Sequence, residues 1–115
     1  MVQAELARAD AGVRSARAFV VETVDRCWTS ARAGELEDED KRLLRLAANQ
    51  AVEQSTAAVD LCYRAAGGTA VYHSSPLQRI FRDVHVATQH AMTAPRMMEP
   101  LGRMLFGLPT STAQF

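Results

Sequence analysis

The sequence predicts an all-α protein built as an antiparallel four-helix bundle. Apolar residues recur at steps of three and four positions along most of the 115 residues, the spacing that puts side chains on one side of a helix. No stretch shows the two-residue alternation of a β-strand. Glycine or proline stands where each expected helix ends or begins. Because short connections join antiparallel neighbours, we expect an up-down-up-down arrangement, with residues 1–115 forming a single helical domain.

The first helix is predicted from Val2 to about Ala33, a stretch with no proline and one glycine. Its expected core stripe consists of Leu6, Ala9, Val13, Ala16, Val20, Val24 and Cys27. Gly34 should end the helix, since glycine adopts a positive φ at low cost. The acidic run from Glu35 to Asp40 should lie on a solvated turn, where carboxylates favour the positive end of the next helix.

The second helix is predicted from about Asp38 to Ala66. One seam of this helix is rich in small residues, which allow another helix to approach closely; the seam consists of Leu44, Ala47, Ala51, Ser55, Ala58, Cys62 and Ala65. Gly67 and Gly68 should end it, and residues 69–74 should form a connection.

Ser75 and Pro76 predict the start of the third helix, because serine can cap a helix and proline at the first position loses no hydrogen bond. We expect this helix to continue to about Thr93 and to stop before Pro95.

The fourth helix is predicted from Arg96 to about Phe106. Pro100 lies inside this span and predicts a kink or a division into two pieces.

Composition excludes several classes of partner. Thirteen basic and thirteen acidic side chains give no net charge, so we expect neither nucleic acid nor an anionic membrane as a partner. The sequence lacks the apolar run of about 18 residues that a membrane span needs, and we expect a cytoplasmic protein. Cys27 and Cys62 should be reduced, and we expect no metal site because the cysteines, histidines and carboxylates lack ligand spacing.

The third helix carries the candidate chemistry. Its expected core side consists of Leu77, Ile80, Phe81, Val84, Thr88 and Ala91, and the opposite side carries Arg79, Asp83, Val86 and His90. This second side could be an ordinary solvated surface on which Arg79 and Asp83 pair. It could also face another domain or subunit, where a histidine near a cofactor could act as an acid or a base. Periodicity alone does not choose between them.

Two neighbouring segments carry a family resemblance. Residues 65–68 read Ala-Ala-Gly-Gly, and residues 75–83 read Ser-Pro-Leu-Gln-Arg-Ile-Phe-Arg-Asp. Together with the four-helix layout of the whole chain, they resemble the C-terminal domain of the acyl-CoA dehydrogenase superfamily. In that family the loop around the double glycine lies against the FAD of a neighbouring subunit. The resemblance implies that Gly67 and Gly68 let backbone N–H groups approach the cofactor, with Arg64 and Arg79 as further cofactor contacts. Arg64 stands where dehydrogenases usually have glutamine.

The segment after Asp83 departs from the dehydrogenases. Many of them place a catalytic glutamate there, within Tyr-Glu-Gly-Thr, whereas residues 88–93 read Thr-Gln-His-Ala-Met-Thr. This arrangement is similar to the two-component flavin monooxygenases, a branch that includes p-hydroxyphenylacetate hydroxylase and dibenzothiophene monooxygenase. The resemblance implies that His90 is catalytic and hydrogen-bonds the flavin–oxygen adduct or the substrate hydroxyl.

The resemblance also implies a cofactor and partners. We expect reduced FAD or FMN, supplied by a separate flavin reductase, an aromatic or related small-molecule substrate, and a homo-oligomer, dimer or tetramer. An N-terminal helical domain and a β-barrel domain would supply most of the pocket, so the isolated chain should be inactive. The alternatives are a fragment of an acyl-CoA dehydrogenase and a non-catalytic helical remnant that only self-associates.

Overall fold

A computed structural model describes residues 2–113 and 115 of the chain. The predicted all-α fold class is confirmed: the described residues contain helices and no strand. The α-helices are α1 (Val2–Ala33), α2 (Asp38–Ala66), α3 (Pro76–Ala87) and α4 (Met98–Leu105). Two short 3₁₀ helices precede α3 and α4, at Gly67–Val71 and Pro95–Met97. The molecule measures 51 × 25 × 23 Å, because α1 and α2 run along its length.

The long helices α1 and α2 pack against each other, and α3 and α4 pack on α2. Gly12 marks a close approach between α1 and α2, since a Cβ there would overlap the side-chain oxygen of Gln54. Of the predicted small-residue seam of α2, Ala47 is part of the buried core and is 2% exposed. Ala47 is therefore buried within the chain and is not available to a second copy.

The predicted core stripe of α1 is only partly buried. Ala16 and Cys27 are buried as expected, and Thr23 joins them. In contrast, Leu6, Val13 and Val24 are 38–49% exposed. Periodicity predicted a helix with one apolar side, but α2 covers only a narrow strip of that side. The uncovered strip lies next to the packed one.

The connection between α1 and α2 is more ordered than a solvated turn. Gly34 ends α1 with φ +132°, as predicted. Asp40, which is 2% exposed, accepts hydrogen bonds from the Glu37 backbone N–H at 3.2 Å and from Arg26 Nε at 3.0 Å. Glu37 and Asp40 form a capping box at the start of α2. The expectation of a fully solvated acidic run was therefore wrong for Asp40.

The helix α3 begins where predicted but ends earlier. Pro76 is its first residue, and Ser75 precedes it without making a side-chain cap hydrogen bond. The predicted end near Thr93 was wrong, because α3 stops at Ala87. After Ala87 the backbone bonds tighten to a span of three residues, from the Gln89 N–H to the Val86 carbonyl and from the His90 N–H to the Ala87 carbonyl. The Thr93 hydroxyl also donates to the Ala87 carbonyl, at 2.6 Å, and so ties the following turn to the end of α3.

The predicted division of the fourth helix into two pieces is confirmed, but the boundary lies between Met97 and Met98, and α4 continues through Pro100. Pro95 opens a 3₁₀ turn, and Pro100 lies in the first turn of α4, where its missing N–H has no helical partner to lose. Met97 and Leu101 anchor this segment and are 7% and 2% exposed. In residues 2–113, no helix is both long enough and apolar enough to cross a bilayer.

Candidate functional site

The predicted cofactor contacts surround the connection between α2 and α3. Arg64 lies in the last turn of α2, and the Gly67 N–H donates to its carbonyl. Gly67 has φ +62° and ψ −143°, a conformation that favours glycine. No atom lies within 4 Å of the point where a Cβ would stand on Gly67 or Gly68. Together with Arg64 and Arg79, which are also exposed, the glycines form an accessible surface on which a ligand can meet backbone N–H groups and arginine side chains.

The predicted catalytic residue, His90, lies in a turn and not on α3. His90 lies three residues after the end of α3. It is therefore not on the helix side that was predicted to carry it together with Arg79 and Asp83. His90 is exposed, and its Nδ1 accepts a hydrogen bond from the Met92 backbone N–H at 3.2 Å. A backbone N–H can only donate, so Nδ1 must be unprotonated. The neutral ring then carries its proton on Nε2, which can donate to a ligand.

The other members of the predicted stripe face water. Arg79, Asp83 and Val86 are exposed. The expected pairing of Arg79 with Asp83 is not among the ion pairs of the described residues. The Arg79 guanidinium is thus available to a ligand.

The two groups of predicted site residues lie at opposite ends of α3. The double glycine and Arg79 are at its N-terminal end, and His90 lies beyond its C-terminal end. Twelve helical residues separate these ends by about 18 Å at the usual rise per residue. A single chain therefore does not bring His90 together with the cofactor-binding candidates.

Three side chains hold the turn that carries His90. Thr88 Oγ1 donates to the His85 carbonyl at 2.6 Å, and Thr93 Oγ1 donates to the Ala87 carbonyl. Asn49 reaches the turn from α2 and donates to the Met92 carbonyl at 3.0 Å. Asn49 was not predicted as a site residue, because a polar residue in the middle of a helical pattern carries no sequence signal of a contact 43 positions away.

A second histidine joins α3 to α2. His85 Nε2 lies 2.7 Å from Asp60 Oδ1, and the rings of Phe81 and His85 are 4.4 Å apart. Tyr63 extends the stack, with its ring centroid 4.4 Å from that of Phe81. Nothing in the sequence pattern of α2 or α3 indicates that Asp60 is the partner of His85.

Two concave surfaces flank this pair. One is an open groove of about 560 Å³ on α3, lined by residues that include His73, Arg82 and His85. The other is a cleft of about 520 Å³ between α2 and the His90 turn, lined by residues that include Asp60 and Thr93. The His85–Asp60 contact separates the two. In residues 2–113 and 115, no group of three potential metal ligands comes together.

Comparisons with known proteins define the family. The acyl-CoA dehydrogenase C-terminal domain matches residues 1–95, most of the chain. The chain belongs to the acyl-CoA dehydrogenase C-terminal domain family. The segments that carried the resemblance, residues 65–68 and 75–83, both lie inside the matched range.

Several relatives in this family are monooxygenases. The chain is 35% identical over 108 residues to indole-3-acetate monooxygenase of Pseudomonas putida, covering 93% of the chain and 28% of the relative. It is 35% identical over 91 residues to the pigment production hydroxylase of Rhodococcus erythropolis, covering 78% of the chain and 23% of the relative. The crystal structure of the HsaA monooxygenase from M. tuberculosis superposes with a TM-score of 0.83 at 28% identity, covering 94% of this chain and 29% of that one. The chain thus spans less than a third of the length of these relatives.

Proposed function

We propose that this chain forms the C-terminal helical layer of a reduced-flavin monooxygenase that acts on an aromatic substrate. The observation that supports this most directly is the exposed His90, whose Nδ1 accepts a hydrogen bond from the Met92 N–H. Residues 88–94 contain no carboxylate, so this turn lacks the glutamate that would remove the α-proton of a thioester and offers a hydrogen-bond donor instead. The relatives that are named as monooxygenases support this choice over dehydrogenation.

The exposed residues fit a flavin cofactor, FAD or FMN. The space above Gly67 and Gly68 is open, which lets a phosphate approach the backbone of this turn closely. The Gly67 N–H already donates to the Arg64 carbonyl, so it would have to be shared with such a ligand. Arg64 and Arg79 supply positive charge beside it, and arginine pairs well with phosphate oxygens. The flavin would supply the oxygen-activating chemistry, which amino-acid side chains lack.

His90 would act by holding a proton at Nε2 towards the reacting oxygen. A donor fixed in this position stabilises developing negative charge without having to reorganise. The Met92 N–H prevents the ring from moving its proton to Nδ1. Because His90 is about one helix length from the double glycine, we propose that the two ends of α3 serve flavins bound in different copies of the enzyme.

This arrangement requires partners. A homo-oligomer, dimer or tetramer, would bring the double glycine of one copy to the flavin of another. A separate flavin reductase would supply the reduced cofactor. One M. tuberculosis relative is named as the oxygenase subunit of a flavin-dependent monooxygenase, which is compatible with a second component. The remaining part of the pocket would come from polypeptide that corresponds to the unmatched majority of the relatives.

A chimera tests the proposal. The matched segment of the Pseudomonas putida indole-3-acetate monooxygenase is replaced by this chain, and product formation and oxygen uptake are measured with reduced flavin and indole-3-acetate. We expect oxygenation by the chimera. We expect His90→Ala to lower product formation roughly a hundred-fold, the usual effect of removing a positioned proton donor, with hydrogen peroxide taking the place of product.

The matched control is His73→Ala, which removes another exposed histidine from the same chimera. It should leave the ratio of product to oxygen unchanged. A folded, flavin-binding chimera that forms no product would contradict the proposed activity. Full product formation by His90→Ala would contradict the role of His90.

A further inference from the structure

Asn49 has an unusual position for a polar side chain. It lies in the middle of α2 and is 4% exposed. Asparagine lowers helix stability at such a site, and a buried amide needs partners for its N–H groups. Its Nδ2 donates to the Arg45 carbonyl at 2.9 Å, one turn earlier, and to the Met92 carbonyl at 3.0 Å. The second bond crosses from α2 to the turn after α3.

Met92 connects Asn49 to His90. The Met92 carbonyl accepts from Asn49, and the Met92 N–H donates to His90 Nδ1 at 3.2 Å. Holding the carbonyl fixes the backbone of Met92, and this aims its N–H at the imidazole. The two threonine hydroxyls that hold the rest of the turn bond to carbonyls of α3 and not to α2. Asn49 thus supplies the hydrogen bond between the turn and α2.

We propose that Asn49 is a positioning residue for His90, acting through Met92 to keep the imidazole in one orientation and in its Nε2–H tautomer. The catalytic consequence rests on the proposed function, but the positioning itself does not. An apolar residue at position 49 would fill the space and leave the Met92 carbonyl without this donor. The turn would then sample positions in which Nδ1 is free to carry the proton.

The experiment uses the 115-residue chain labelled with ¹⁵N. Long-range ¹H–¹⁵N correlation spectra report the tautomer of His90, and hydrogen exchange reports the protection of the Met92 amide. In the unmodified chain we expect the Nε2–H tautomer and a scalar coupling across the Met92 N–H···Nδ1 hydrogen bond. In Asn49→Leu and Asn49→Asp, which both lose the amide donor, we expect this scalar coupling to weaken or disappear and the share of the Nδ1–H tautomer to rise. We expect exchange of the Met92 amide to increase roughly five-fold, the size of one lost neutral hydrogen bond.

The matched control is Thr56→Val. Thr56 is also part-buried on α2 and donates to the carbonyl four residues earlier, at 2.7 Å, but it makes no bond to the turn. It should leave His90 and Met92 unchanged. Absence of the scalar coupling in the unmodified chain would overturn the proposal even if both Asn49 variants failed to fold. An unchanged scalar coupling in a folded Asn49 variant would also overturn it, as would an equal loss of coupling in Thr56→Val.

These readouts need no flavin and no turnover, so they fail or succeed independently of the monooxygenase proposal. In the chimera, Asn49→Leu should lower product per oxygen in the same direction as His90→Ala. Adding Asn49→Leu to His90→Ala should not lower product per oxygen further, because the imidazole that Asn49 positions is then absent.

Discussion

His85 on α3 and Asp60 on α2 are joined by a 2.7 Å contact between Nε2 and Oδ1. Their side chains are 40% and 36% exposed, so the contact is partly solvated. Phe81 covers one side of the imidazole and packs in turn against Tyr63. Since α3 contains no fully buried residue, this polar contact and the aromatic stack are important for holding α3 on α2.

The His85–Asp60 contact should contribute measurably to stability. We expect Asp60→Ala and His85→Ala each to lower the free energy of unfolding by about 1 kcal/mol. A double-mutant cycle in urea should give a coupling energy of about 0.5–1 kcal/mol, since both groups are partly solvated.

The exposed pair Asp10–Arg14 on α1 is the control for this cycle. Its side chains are 65% and 77% exposed. A helical pair of this kind contributes about 0.3 kcal/mol. If the two cycles gave the same coupling, the contact between α2 and α3 would be no stronger than a surface ion pair.

Asp40 should make stability depend on pH in acid. The hydrogen bond from Arg26 is the main cause that lowers the pKa of the Asp40 carboxyl, and the Glu37 N–H adds to it, against the opposing effect of burial. A carboxyl whose pKa is lower in the folded state stabilises the fold above its unfolded pKa of about 3.9. That contribution is lost as the pH falls through the folded pKa. We expect Asp40→Asn to lower the urea midpoint at neutral pH and to flatten the decline in acid.

Asp25→Asn is the control, because Asp25 is an exposed carboxylate on α1. Urea midpoints measured from about pH 7 to about pH 3 should show the wild-type decline in this variant. If the urea midpoint of Asp40→Asn declined in acid as much as that of the unmodified chain, other carboxylates would be responsible for the pH dependence.

The sequence predicted the helices well wherever glycine or proline marks a boundary. Gly34, Gly67 and Pro76 stand at helix ends that the structure confirms. The end of α3 was missed because no glycine or proline marks it; there the Ala87 carbonyl accepts from both the His90 N–H and the Thr93 hydroxyl. Such sharing of a carbonyl depends on how the chain folds back and leaves no periodic signal.

The candidate site was predictable only in part. His90 was singled out from its position after the Arg-Asp pair, but its place in a turn was not. Asp60 and Asn49 were missed because both lie within the helical pattern of α2, and their partners follow 25 and 43 positions later. A single sequence does not reveal which side chains meet across two helices.

The two glycines should respond differently to alanine. Gly67 has φ +62°, so Gly67→Ala should cost about 1–3 kcal/mol of stability through backbone strain. Gly68 has no positive φ and has open space around it, so Gly68→Ala should leave the urea midpoint nearly unchanged. If Gly68 faces a cofactor, Gly68→Ala should still weaken reduced-flavin binding in the chimera. Flavin binding equal to that of the unsubstituted chimera would argue against a cofactor contact at Gly68.

The uncovered strip of α1 should drive self-association. Its exposed apolar residues fall on one side of the helix at about 100° per residue; they are Leu6, Val13, Val21, Val24 and Trp28. Trp28 is 65% exposed, and burying a side chain of this size contributes more than any other contact on the strip. We expect oligomers by sedimentation velocity at tens of micromolar, where weak interfaces become populated.

Charge placed on this strip should weaken the association. Val24→Glu and Trp28→Glu would each require a carboxylate to be desolvated at the interface, so the dissociation constant should increase at least about ten-fold, the effect of roughly 1.4 kcal/mol. Val71→Glu is the control: Val71 is 56% exposed, close to the exposure of Val24, but it lies in the 3₁₀ turn after α2. A monomer at these concentrations, or equal weakening by all three substitutions, would show that the α1 strip is not the interface between copies.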